Sequence, residues 1–331
     1  MRYRQPGGFL LALSAIGCLI GGIVLLGGNQ LQHNEIRLGR RAVLAALLAA
    51  PVAACAPSTP PAAPVATAPP PDPVWAELER RYDARLGLFA RNVATGRTVA
   101  HRADERVALC STFKVYASAA LLRAHGLAGG YFDRVIRYDA GQLVENSPIT
   151  ETRVHTGMTV GELCAAAVQH SDNTAANLML RELGGPQAIT EFARTIGDPM
   201  TRLDRWETEL NTAIPGDERD TSTPRALGDG LQRLLLGDAL GPAERDRLTG
   251  WMLGSATGAA RIRAGVPSSW RTADKTGGGS AYGVANDIAV TWTDTATPIV
   301  ISLLTGRPRE HDTANNALLA DAARVVAERL V

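Results

Sequence analysis

Ser111 and Lys114 stand three residues apart in the run Cys110-Ser-Thr-Phe-Lys. On a helix such residues are neighbours, so an ammonium would lie against a hydroxyl. A lysine that is neutral, or whose pKa is lowered, can take the serine proton and leave an alkoxide-like nucleophile. Taken alone, Ser-x-x-Lys is an ordinary feature of a surface helix. Two further short motifs lie downstream. Ser171-Asp172-Asn173 sits at a predicted helix start, where these residue types ordinarily cap. Lys275-Thr276-Gly277 ends a predicted strand and runs into Gly278 and Gly279, which alone would be turn glycines.

In this order the three motifs resemble the signature of class A β-lactamases and penicillin-binding proteins. The likeness continues through residues 143–185 and 202–224 and covers nearly all of 74–331. On those segments the chain resembles an actinomycete-type class A serine β-lactamase, made as an exported lipoprotein. The resemblance implies that Ser111 attacks the β-lactam carbonyl and becomes acylated. Lys114 would hold and relay its proton, alone or with Glu207 acting through water. Ser171 would pass a proton to the departing ring nitrogen, and Asn173 would hydrogen-bond the substrate's side-chain amide. Backbone N–H groups of Ser111 and Gly278 would form the oxyanion hole, in which one donor is worth about 3–4 kcal/mol. Gly278 would also let a strand edge approach the substrate closely. Lys275, Thr276 and Gly277 would bind the substrate carboxylate. The strand that carries an arginine in many members reads Val-Ala-Asn-Asp-Ile-Ala-Val here, and Arg261 falls where another branch places a substitute.

The same resemblance separates hydrolysis from stable acylation. Glu207 and Asn211, in Arg-Trp-Glu-Thr-Glu-Leu-Asn, match a pair that grips the hydrolytic water on an Ω-shaped loop, and Arg205 with Asp220 matches a salt bridge closing it. These residues favour a β-lactam hydrolase, active on penicillins and on cephalosporins and conferring antibiotic resistance. The alternative is a penicillin-binding peptidase or receptor acylated on Ser111 without rapid turnover. Thr208 stands where most members have proline, and a retained cis Glu207–Thr208 bond is expected. Asn146 replaces a rim aromatic, which implies a wider mouth. Some carbapenemases pair the cysteine before the nucleophile with one after Lys-Thr-Gly; Cys110 has no such partner at Gly278 or Gly279.

The elements that must position these residues follow from pattern. Trp75–Arg85 reads as a helix and Leu86–Val93 alternates like a strand before Thr98–Ala103. A helical middle follows, with Thr159 and Glu162 spaced as a capping box, Thr223 before Pro224 at a helix start, and a helix in 184–197 ending in glycine. Strands return in 270–276, 284–293 and 298–305, and a terminal helix runs from about Thr313 to Leu330. Strands at both ends around a helical block predict a mixed α/β (α+β) protein. Its termini would share one antiparallel sheet packed with helices, beside an all-helical region.

Composition bounds the rest. The chain has 331 residues, 45% hydrophobic types and a formal charge of +1, without a basic cluster in its body, which argues against nucleic-acid binding. Its six histidines show no His-x-His-x-Asp or His-Glu-x-x-His spacing, so neither metal nor cofactor is expected. Residues 1–55 read as a targeting region: an uncharged run at 9–28, then Arg40-Arg41 before an apolar stretch ending Val-Ala-Ala-Cys55. That pattern resembles a twin-arginine signal with a lipidation site at Cys55. Residues 56–73 are a proline- and alanine-rich linker, and 74–331 form the catalytic domain. The expected product is a monomer held by a lipid anchor at the outer face of the cytoplasmic membrane, in a periplasm-like space or secreted, with small β-lactams as partners. Cys164, in an apolar helix, is expected to be a buried small hydrophobe.

Overall fold

The computed structural model describes residues 72–331; the signal, lipidation and linker expectations for the preceding residues lie outside the described region. In chain order the elements are α1 (Pro73–Tyr82), β1 (Arg85–Asn92), β2 (Thr98–His101), β3 (Val107–Ala108) and α2 (Phe113–His125). Next come β4 (Val135–Ile136), β5 (Met158–Thr159), α3 (Val160–Gln169), α4 (Asn173–Leu183), α5 (Gln187–Thr195) and β6 (Thr221–Ser222). The chain closes with α6 (Pro224–Leu235), α7 (Pro242–Leu253), α8 (Ile262–Gly265), β7 (Arg271–Gly278), β8 (Ala285–Trp292), β9 (Pro298–Gly306) and α9 (Asn316–Leu330).

The strands from both ends form one antiparallel five-stranded sheet in the order β2-β1-β9-β8-β7, as the strand–helix–strand order predicts. In β9, Val300 and Leu304 face one core while Ile299, Ile301 and Leu303 face another. Successive residues thus alternate between the two cores, and β1, β8 and β9 are buried along nearly their whole length. One face packs against α1, α8 and α9, and the other against α6 and the helical region.

At the centre of the helical region lies α2. Every residue from Phe113 to Leu122 is buried, so the helix is covered all round rather than on one stripe. That burial fixes the environment of its one lysine before any chemistry is considered. The Thr159–Glu162 capping box and the Thr223 cap form as predicted.

Several boundaries differ from expectation. Helix α1 ends at Tyr82 because Asp83 adopts a left-handed conformation, φ 45°, and the strand has begun by Arg85. Helix α9 starts at Asn316, since Asn315 caps it by accepting from Ala317 N at 3.1 Å. The two-residue strands β3 to β6 are too short to leave a pattern; β3 pairs with β6, joining the nucleophile's approach to the end of the 202–220 loop.

Candidate active site

Ser111 occupies a 3-10 turn, Cys110–Thr112, that opens α2. Its neighbour Cys110 is fully buried with φ 46°, and Asn146 and Ser171 on the facing loops also have positive φ, 58° each. Such backbone is costly for residues with a Cβ and tends to cluster where side chains must be aimed. The turn is held from outside: Leu109 N donates to Asp220 O at 2.8 Å, and Asn286 Nδ2 on β8 donates to Ala108 O at 2.7 Å and Leu109 O at 3.2 Å. Asn286 carried no motif, yet it is the buttress under the nucleophile.

One helical turn on, Lys114 has no solvent exposure. Its Nζ donates to Ser171 O at 2.8 Å and Asn173 Oδ1 at 2.6 Å and lies 3.0 Å from Glu207 Oε1. The same Oε1 accepts from Ser111 Oγ at 3.3 Å, while Oε2 accepts from Asn211 Nδ2 at 2.6 Å. Glu207 is thus split in function: one oxygen is pinned by an amide, and the other is shared by the serine and the lysine. Burial pushes the Lys114 ammonium below its ordinary range, and the Glu207 carboxylate opposes that shift.

The carboxylate is placed by its loop. Arg205 Nε donates to Asp220 Oδ2 at 2.6 Å, and Asp220 Oδ1 also accepts from the backbone N–H groups of Asp204 and Arg205 at 2.7 and 2.9 Å. The expected ion pair therefore forms with a fully buried Asp220 as its hub. Asn177 on α4 clamps the Glu207 peptide from both sides, accepting from Glu207 N at 3.0 Å and donating to Glu207 O at 2.9 Å. The Glu207–Thr208 bond is cis, as expected.

Ser171-Asp172-Asn173 divides between the two roles its sequence allowed. Asp172 is the helix cap, fully buried, accepting from Ala175 N at 2.8 Å and from Ile149 N and Thr150 N at 2.9 Å each. Ser171 and Asn173 face the site. Asn173 Nδ2 donates to Glu145 O at 2.8 Å, and Ser171 Oγ accepts from Lys275 Nζ at 3.0 Å.

Lys275 has no exposure, and its Nζ also donates to Thr276 O at 2.7 Å. Burial and then the nearby Lys114 charge push its ammonium well below the ordinary range. It underlies the cleft, and its donor reaches the cleft wall through Ser171. Gly277 explains its own place in the motif: a Cβ there would meet Leu109 O at 2.9 Å and Cys110 Cβ at 3.3 Å. The tight approach that required glycine is therefore to the nucleophile turn at Gly277. A Cβ on Gly278 would meet nothing within 4 Å, so its bareness serves the open cleft.

The cleft has a volume of about 480 Å³ and is lined by Ser111, Ser171, Asn173, Arg261, Thr276 and Gly278, among others. That is ample for a drug-sized molecule. Arg261 is held by Gly277 O at 2.7 Å, Asn286 O at 2.5 Å and Asn316 Oδ1 at 2.9 Å. Among the described residues its Nη2 has no protein acceptor. Thr257, four residues before it, shares a 2.6 Å hydrogen bond with Thr276 Oγ1 and was not singled out by sequence.

The model of the beta-lactamase enzyme family matches residues 74–330. The chain belongs to that family. Among similar proteins, the beta-lactamase AST-1 of Nocardia asteroides is 54% identical over 301 residues, covering 89% of this chain and 97% of that one. The carbapenem-hydrolyzing beta-lactamase KPC of Klebsiella oxytoca is 50% identical over 256 residues, covering 77% and 87%. The solved beta-lactamase from Streptomyces albus G superimposes with a TM-score of 0.77 at 48% identity, covering 78% of this chain and 98% of that one. This β-lactamase is a class A serine enzyme of the actinomycete type and a β-lactam hydrolase.

Proposed function

We propose that the enzyme opens the β-lactam amide of penicillins and cephalosporins through an ester on Ser111 and discharges that ester with a water activated by Glu207. The observation that carries this reading is the convergence of Ser111 Oγ and Lys114 Nζ on Glu207 Oε1, at 3.3 and 3.0 Å. In acylation, Oγ bonds to the carbonyl carbon and its proton passes to the buried Glu207–Lys114 pair. When the C–N bond breaks, the ring nitrogen takes its proton from Ser171 Oγ, which Lys275 Nζ resupplies across 3.0 Å. The proton that the Glu207–Lys114 pair takes from Ser111 makes good the one that Lys275 gives up, so Glu207 is free to accept again before water attacks.

Backbone N–H groups of Ser111 and Gly278 stabilise the developing oxyanion. Thr276, Gly277 and Arg261, over the buried charge of Lys275, receive the substrate carboxylate, and Asn173 receives the side-chain amide. Deacylation reverses the proton flow: Glu207, oriented by Asn211, takes a proton from water, the hydroxide adds to the ester, and Oγ leaves with a proton from the same pair. The competing reading, an acceptor that stays acylated, is disfavoured because Glu207 is buried and aimed at Ser111 rather than turned to solvent. Steady turnover of a chromogenic cephalosporin that disappears in Ser111→Ala supports hydrolysis; a single stoichiometric burst would refute it.

The site works outside the cytoplasmic membrane, on a monomer tethered through a lipidated Cys55. Support comes from Arg40-Arg41, the Val-Ala-Ala-Cys ending and the proline-rich 56–73 segment. Cys55→Ala should move activity from the membrane to the soluble extracellular fraction, and identical partitioning of the two proteins would refute the anchor.

A further inference from the structure

A second cleft, of about 130 Å³, lies between the 202–220 loop and the Arg85–Gly306 end of the β1–β9 ladder. Its lining carries five arginines, Arg85, Arg102, Arg106, Arg205 and Arg219, against two carboxylates, Glu105 and Asp217. Four of the guanidinium groups have acidic partners: Arg85 pairs with Glu105, Arg102 with Glu79 at 2.8 Å, Arg205 with Asp220 at 2.6 Å and Arg219 with Asp217 at 2.7 Å.

Arg106 differs. Among the described residues it meets no carboxylate, and its Nη1 donates only to neutral oxygens, Met200 O at 2.9 Å and Thr221 Oγ1 at 3.0 Å. Its Nε and Nη2 have no protein acceptor among those residues. These two N–H groups form one edge of the guanidinium, the fork that grips an oxoanion through two parallel hydrogen bonds. The side chain is half-buried, but this edge is not among the buried polar atoms and stays open to an incoming oxoanion. At a water's share of about 30 Å³, the cleft holds roughly four waters. A tetrahedral oxoanion, with five heavy atoms, is of that size.

We propose that this cleft is an oxoanion site of the phosphate or sulfate class, with Arg106 as its bidentate anchor. The bound anion would join the β3 side of the cleft to the loop that carries Glu207 and Asn211. It therefore tightens the segment on which deacylation depends, without entering the reaction.

The test is a titration of the intact enzyme with inorganic phosphate at constant ionic strength, read by backbone amide shifts and by thermal midpoint. Because Arg261 and Thr276 offer phosphate a competing place in the active site, the location of the response decides. Saturable shifts at Ile214, Gly216 and Arg219 that survive Arg261→Ala, disappear in Arg106→Gln and weaken several-fold in Arg106→Lys are expected, with a rise in midpoint as phosphate loads the folded state. Shifts confined to Gly277 and Gly278, or no saturable response in the wild type, overturn the proposal whether or not the Arg106 variants fold.

Discussion

Lys114 Nζ and Glu207 Oε1 lie 3.0 Å apart with neither side chain exposed to solvent. Water cannot screen this pair, so the Glu207 carboxylate favours the charged form of Lys114 and opposes the lowering that burial causes. In Glu207→Gln, Lys114 is the base that remains. Its pKa, already lowered by burial, loses the carboxylate that opposed the lowering and falls further. The sign follows: neutral lysine accepts the Ser111 proton and the ammonium does not, so acylation rises with pH through that pKa and then levels. The expected profile for adduct formation in this variant is a rise and plateau displaced to lower pH than an ordinary lysine would give. A limb near the free-lysine value of about 10.4 would contradict it.

Asp220 holds the loop by three hydrogen bonds from Arg205 Nε and two backbone amides. Asp220→Ala leaves those donors unpaired beside a half-buried guanidinium and should cost about 1–3 kcal/mol in chemical denaturation. Deacylation should slow more than acylation, because Glu207 and Asn211 on this loop are both needed to orient the hydrolytic water, whereas acylation can still use Lys114 on α2. Equal slowing of both steps in rapid-quench measurements would argue that the loop only supports the fold.

Gly277→Ala tests the close approach of β7 to the nucleophile turn. The added methyl would stand 2.9 Å from Leu109 O, so strand or turn must give way and the Ser111 and Gly278 amides separate. A drop in kcat/KM of at least about tenfold, equivalent to 1.4 kcal/mol of transition-state stabilisation, is expected for benzylpenicillin. Gly278→Ala meets no atom and should perturb thermal stability less than Gly277→Ala; the reverse order would contradict the packing.

Arg261 lines the cleft and is fixed by two backbone carbonyls and Asn316, and among the described residues its Nη2 has no protein acceptor. A desolvated, charge-assisted contact is worth more than an exposed pair. Arg261→Ala should lower kcat/KM by about tenfold or more for a free-acid substrate and much less for its methyl ester. Equal loss for both would make Arg261 a prop for Gly277 and Asn286 only.

Sequence disclosed Ser111, Lys114, Glu207 and Lys275 through the resemblance their motifs carry together, since none stands out by its spacing alone, and it disclosed the strand–helix–strand order that places them in one fold. It did not disclose Asn177, Asp204, Thr257 or Asn286, which act through one to three side-chain hydrogen bonds to backbone or to another side chain. Such bonds have no periodicity and join residues far apart in the chain, as Asn286 joins Leu109 across 177 positions. Ser171-Asp172-Asn173 was legible as a cap and as a catalytic motif at once because both readings hold, for different residues of the three. Gly278 drew attention as the glycine of close approach, but only the packed structure distinguishes a glycine pressed by a carbonyl from one facing open space.

The central claim is that Glu207 discharges the ester formed on Ser111. Glu207→Ala removes the shared oxygen at 3.3 Å from Ser111 Oγ while leaving Lys114, Ser171 and Lys275 in place. Intact-mass spectrometry after mixing this variant with benzylpenicillin should show one penicilloyl adduct, mapped to Ser111, that persists for minutes while the wild type shows none at steady state. Free enzyme with normal turnover in the variant would contradict the account.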